Sequence, residues 1–117
     1  MVTYRFYPRA DAAQDKMWRD TFEAWGEKQA DAYILGLHGH LQRLCEDRMI
    51  WRQLPQRLTV PADIRQKAYF DRYEHHYVFF RELDNGDIGI MSIPHERMDL
   101  AVRLREDLAA LSSREPS

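Results

Sequence analysis

The sequence has only one cysteine, Cys45, and so cannot close a disulfide within the chain. That absence removes the usual staple of small secreted domains and suits a reducing compartment, the cytoplasm. Cys45 falls in an apolar helical stripe with no basic or histidine partner in helical register, which reads as a small core residue rather than a reactive thiol. Long apolar runs are lacking too: nothing approaches the roughly 20 residues of a membrane span, and the opening MVTYRFYPRAD has no apolar core of a secretory signal. Charge of one sign is also scarce, with 17 Lys and Arg against 19 Asp and Glu, a formal net charge of -2. No overall positive field therefore draws the molecule to nucleic acid, and the chain alone is not expected to bind DNA sequence-specifically. Neither an internal repeat nor a low-complexity tract is present.

Five histidines invite a metal, but their spacing does not. His38 and His40 fall about 200° apart on a helix, and His75 and His76 alternate across a strand, so neither pair converges on one ion. No metal and no cofactor are expected.

What the chain does have is apolar and aromatic area. It is 44% hydrophobic over 117 residues, with three tryptophans, six tyrosines and five phenylalanines. That suffices for one core and is too little for two ordinary domains. A single domain is expected over residues 1–111, with a frayed tail at 112–117.

Along the chain, TYRFY (3–7) reads as a first strand stopped by Pro8. Asp11 is placed to open a helix on which Ala10, Ala13, Met17, Trp18, Phe22 and Trp25 share one half of the wheel, and Gly26 ends it. A second helix follows, with Ala30, Tyr33, Ile34, Leu37, Leu41, Leu44 and Cys45 at three- and four-residue spacing, and the two should form an antiparallel hairpin. Gly36 and Gly39 fall on its outer face, either as tolerated surface glycines or as marks of a close contact. From Asp47 to Asp63 the periodicity fades and Pro55 and Pro61 exclude a long element, although a short strand or helical turn fits there. Trp51 and Leu54 should pin this segment to the body. Strand patterns return at 65–72, 76–83 and 88–93, a three-stranded antiparallel meander whose last turn contains Asn85-Gly86. Asp99 is placed to cap a short terminal helix striped by Leu100, Leu104, Leu108 and Leu111. The fold class expected is α+β.

Two stretches, AWGEKQADAY (24–33) and IPHERMDL (93–100), together with this element order, resemble the ParE/RelE superfamily, the toxins of bacterial type II toxin-antitoxin pairs. Members typically carry a Trp-Gly helix junction followed by Gln-Ala and a tyrosine, matched here by Trp25, Gly26, Gln29, Ala30 and Tyr33. They also carry a last strand running into a His-Glu-Arg-Met-Asp stretch, matched by His95 to Asp99. Two departures stand out: the segment 48–64 looks longer than usual, and Pro94 takes the place of a leucine.

The resemblance implies a RelE/ParE-like fold, a cognate antitoxin and one of three activities. ParE-type members poison DNA gyrase by protein contact, causing growth arrest and serving plasmid maintenance. RelE-type members are ribosome-dependent mRNA endoribonucleases, which need an acid-base group and cations around one phosphate. Here that set would be His95 with Arg81 and Arg97, because the last tyrosine is Tyr77 and the terminal catalytic tyrosine of that subgroup is missing. A third class only binds an antitoxin or regulates its operon. The missing tyrosine and the weak net charge favour the gyrase poison, with no catalytic residues. In this family the antitoxin's C-terminal segment lies across the toxin as an added strand or helix. An acidic amphipathic segment would suit Arg65, Lys67, Arg72 and Arg81, with Arg97 at the polar end and Tyr69 as an apolar anchor; Phe79 reads more as core than as a second anchor.

Overall fold

The first helix starts a turn earlier than its acidic residues suggest. In the computed structural model, which describes residues 2–58, 60 and 62–111, strand β1 (Tyr4–Phe6) gives way directly to helix α1 (Pro8–Trp25). Pro8 occupies the first helical turn, where its missing N–H and fixed φ cost nothing, so it opens the helix as well as ending the strand. Asp11, expected as the opening residue, lies inside that first turn, where a carboxylate still complements the helix dipole.

Gly26 joins α1 to α2 (Glu27–Glu46). Its φ of 93° and ψ of 174° lie where a side chain is strained. Its N–H donates to the Phe22 carbonyl at 2.8 Å and its own carbonyl accepts from Ala30 N–H at 3.1 Å, so one residue closes one helix and starts the next. The hairpin forms as expected, but its tip overhangs the sheet. Ala10 and Met17 are buried, whereas Phe22 is 45% and Trp25 78% exposed.

The segment after α2 carries a 3-10 turn (Arg48–Ile50), a two-residue strand β2 (Arg52–Gln53) and a one-turn helix α3 (Ala62–Arg65). Strands β3 (Ala68–Tyr73), β4 (His76–Glu82) and β5 (Ile88–Ser92) form the antiparallel meander. The strand expected from residue 65 therefore starts only at Ala68. β1 adds parallel to β5 and β2 antiparallel to β3, making a five-stranded sheet in the order β1-β5-β4-β3-β2. Between β4 and β5, Gly86 takes φ 91° while Asn85 Oδ1 accepts from Asp87 N–H at 3.0 Å, the local chemistry the Asn-Gly pair supplies. Helix α4 (Leu100–Ala109) is capped by Asp99, whose carboxylate accepts from Val102 N–H at 3.2 Å. The tail expected to fray, 112–117, lies outside the described residues.

The sheet's two faces hold two cores. Leu37, Leu41 and Leu44 of α2 pack with Val78, Phe80, Ile88 and Ile90 on one face. Tyr7, Leu54, Leu58, Ile64, Phe79, Met91, Leu104 and Leu108 form the other. The second core is pinned by Asp107 of α4, a carboxylate only 3% exposed that accepts from Arg9 Nε at 3.0 Å and from the Ser92 hydroxyl. Gly36 is a close-contact glycine: a Cβ there would overlap the Tyr73 hydroxyl, which donates to the Tyr33 carbonyl at 2.8 Å. Gly39 faces open space. Cys45 is buried, and burial pushes its thiol up to about 11, far from a reactive thiolate. No helix among the described residues is long and apolar enough to cross a membrane.

Candidate functional site

Alternation along β3 and β4 decides what the α4 side of the sheet presents. Phe70, Tyr77 and Phe79 project there, where α4 and the 54–64 segment cover the strands incompletely. Their rings form a ladder: Phe70 stacks on Phe79 at 6.0 Å between centroids, and Phe79 on Tyr77 at 6.5 Å. A groove of about 260 Å³ opens over this ladder, walled by Pro55, Arg57 and Leu58 on one side and by Asp99, Leu100 and Ala101 on the other. Cations rim it. The Arg52 guanidinium stands 6.0 Å from the Phe70 centroid and that of Arg72 5.4 Å from Tyr77. By the same alternation Arg81 belongs to this side, opposite Ala68 and Gly89, with its Nε buried and lacking a hydrogen-bond partner among the described residues. The groove thus offers aromatic anchorage and guanidinium groups, a fit for an apolar side chain flanked by carboxylates.

Beside it, β2 pairs only with Tyr69 and Phe70, so the edge of β3 from Asp71 to Tyr73 has no strand partner among the described residues. Such an edge is a template for an added strand.

The residues expected to bind an antitoxin divide. Arg72 and Arg81 share the groove side. Arg65 and Lys67, expected on the sheet, do not lie on it: Arg65 ends α3 and donates to the Leu54 and Leu58 carbonyls, clamping the preceding segment, and Lys67 sits in the following turn 3.7 Å from Asp84. Tyr69 faces the hairpin instead, packed on Trp51 at 5.0 Å and Phe80 at 5.9 Å. Phe79, 1% exposed, is core and also floors the groove. Phe70, Tyr77, Arg52 and Arg57 were missed by sequence reasoning, although residue parity along β3 would have paired Phe70, not Tyr69, with Arg72.

The His95, Arg81 and Arg97 set is not assembled. His95 bridges to His76 at the start of β4, and Arg81 lies five residues along that strand, roughly 17 Å at the usual rise. Arg97 is exposed on the turn after β5. His95 instead joins a different group at the mouth of a larger cleft, about 720 Å³, between the hairpin tip and the β3–β4 turn. His75 and His76, expected to point apart, both contact it, because Glu74 takes φ 50° and turns the chain before β4 begins. His75 stacks on His95 at 6.3 Å and His76 meets it edge-on at 5.0 Å. His75 Nδ1 lies 2.8 Å from Glu96, which also pairs with Arg72; these hydrogen-bond donors, His75 first, hold the Glu96 carboxyl below its usual range. His95 Nδ1 accepts from Arg97 N–H at 3.0 Å. Tyr33 Oη accepts from His75 N–H at 3.2 Å and is hydrogen-bonded to His76 Nδ1 at 2.8 Å. Burial, with His95 and His75 nearby, lowers His76 to about 4, and burial raises Tyr33 to about 12. The inner imidazole is therefore neutral at physiological pH. No group of three or more His, Cys, Asp or Glu side chains among the described residues is arranged to hold a metal ion.

An N-terminal strand, a helical hairpin, an antiparallel meander and a short terminal helix define a RelE/ParE-like α+β toxin fold. Residues 4–100 match the family model described as the ParE toxin of the type II toxin-antitoxin system, parDE, and the chain belongs to this family. It is 31% identical over 108 residues to Toxin ParE of Escherichia coli, covering 92% of this chain and 98% of the relative. It is also 27% identical over 97 residues to Toxin ParE1 of Mycobacterium tuberculosis (strain H37Rv), covering 83% and 92%.

Proposed function

We propose that this chain acts in the bacterial cytoplasm as a protein-contact poison of DNA gyrase and is neutralised by a cognate antitoxin. The separation of Arg81 from His95 and Arg97 carries the reading: a ribonuclease must gather cations and an acid-base group around one phosphate, and of these three only His95 and Arg97 share a cleft. The net charge of -2 adds support, since a chain that worked on ribosomal RNA would gain from a positive field. The antitoxin's share of the surface is the ladder of Phe70, Phe79 and Tyr77 with the arginines around it, where an acidic amphipathic segment finds both anchors and counter-charges. Its backbone can continue along the open edge of β3.

The purified protein is expected to inhibit gyrase supercoiling, or to trap cleaved DNA, while leaving mRNA on translating ribosomes intact. His95→Ala should stay toxic, because one imidazole removed from a broad interface usually costs under about 2 kcal/mol. One observation favours the endoribonuclease instead: His75, backed by the Glu96 carboxylate, has the arrangement of a general base. Ribosome-dependent cleavage that disappears in His95→Ala or His75→Ala would establish that second reading.

A further inference from the structure

The hairpin carries a surface of opposite character, on the other side of the molecule from the groove. Along the flank of α1 that borders α2, Asp11, Asp15, Trp18, Phe22 and Trp25 recur at spacings of three and four, one continuous stripe. Trp18 and Phe22 stack face to face at 5.1 Å with 15° between their planes, and the Trp18 indole donates to Asp31 of α2 at 2.9 Å. A groove of about 340 Å³ lies between the helices, lined by Asp11, Asp15, Trp18 and Ile34 among others. Phe22 at 45% and Trp25 at 78% exposure extend the α1 stripe beyond the groove, Trp25 also lining the larger cleft, and Leu35 of α2 is 73% exposed. None of these is buried in the core: α1 buries only Ala10 and Met17, and the buried residues of α2 do not include Leu35. Exposed aromatic area in register along a helix, rimmed by carboxylates, is an interface composition rather than a solvated face.

We propose that this seam is the surface through which the toxin grips its protein target, and that the target presents a basic amphipathic helix. The chemistry selects that occupant. Asp11, Asp15 and Asp31 at the aspartate end of the seam call for lysine or arginine, while the Phe22–Trp25 end calls for apolar anchors spaced along one helical face. An acidic antitoxin segment is repelled here and attracted to the arginine-rimmed groove across the sheet. The proposal rests on the protein-contact reading of function, and the two are separable by experiment.

Three variants test it: Phe22→Ser with Trp25→Ser, Asp11→Lys with Asp15→Lys, and Leu35→Ser as a milder probe. All five side chains are exposed or line the open groove, so melting temperatures should match the parent. Each variant is expressed in cells for growth arrest, assayed against purified gyrase for supercoiling, and titrated with the cognate antitoxin. The expected result is loss of growth arrest and at least a tenfold drop in inhibitory potency for the two double variants, with antitoxin affinity within twofold of the parent. Variants that still arrest growth overturn the seam. So does a loss confined to antitoxin affinity, which would give the seam to the antitoxin instead. Lost growth arrest with a parent protein that never inhibits gyrase would support the seam while overturning gyrase as the target, and a parent that arrests nothing overturns both.

Discussion

The two faces of the sheet are covered very unequally, by helices of 18 and 20 residues on one side and by a 10-residue helix with an irregular segment on the other. The hairpin buries its half of the sheet wherever it crosses it. The opposite face is closed over β5, where Met91, Leu104 and Leu108 meet, and less fully over β3 and β4, where Phe79 is buried but Phe70 and Tyr77 border the groove. Burial is thus divided by face: one face is sealed by the long helices, and the other leaves the Phe70 and Tyr77 rings bordering a groove.

The most severe way to break this contrast is to cut into the sealed side. Phe80 is fully buried, 5.2 Å edge-on from Trp51, and Phe80→Ala should cost about 3–5 kcal/mol. Leu108→Ala, at the margin of the α4 core, should cost about 2 kcal/mol. Urea melts compare the two, and equal losses would mean that the faces share the stability evenly.

Next in size is the helix-to-sheet approach at Gly36. A methyl group there forces Tyr73 aside, so Gly36→Ala should destabilise by about 1–3 kcal/mol, and Tyr73→Phe in the same background should recover part of it. A purely additive double variant would show that the two residues do not meet.

Acid sharpens the comparison from the hairpin mouth. His76 titrates near 4 in the folded protein against 6.5 in the unfolded chain, chiefly because it is buried. Between those values the unfolded chain binds a proton that the folded protein does not, so stability must fall as pH drops from about 6.5 to 4. The melting temperature of His76→Asn should decline less across that window, and parallel curves would remove His76 as the cause.

The smallest folding effect belongs to the open face. Arg72 pairs with Glu96 at the surface, and Arg72→Ala should change stability by under about 1 kcal/mol while weakening antitoxin binding and flattening its salt dependence. Calorimetry at two salt concentrations checks both parts.

Local chemistry made some of this legible in the sequence. The Asn85-Gly86 turn, the Asp99 cap and the three- and four-residue stripes of α2 announce themselves, because each is decided within a few residues. What stayed hidden depends on distant partners. The stripe of α1 includes Phe22 and Trp25, but only the tertiary fold says that α1 runs past the sheet before reaching them. Arg65 reads as a strand residue until the 54–58 carbonyls it holds are in place. The histidine cluster was obscured by a turn at Glu74 that uses neither glycine nor asparagine, so His75 was assigned to a strand it does not join.

The parallel pairing of β1 with β5 also sets an order of events during synthesis. Thr3 N–H donates to Asp87, 84 positions later, and Ile88 N–H returns a bond to the Thr3 carbonyl at 3.0 Å. A first strand leaving the ribosome has no partner until β5 has been made, and the entropy of closing so long a loop is met only then. Translation halted before residue 88 yields a chain whose hairpin lacks Ile88 and Ile90 to pack on, so a prematurely terminated product is left without the core that holds the hairpin against the sheet.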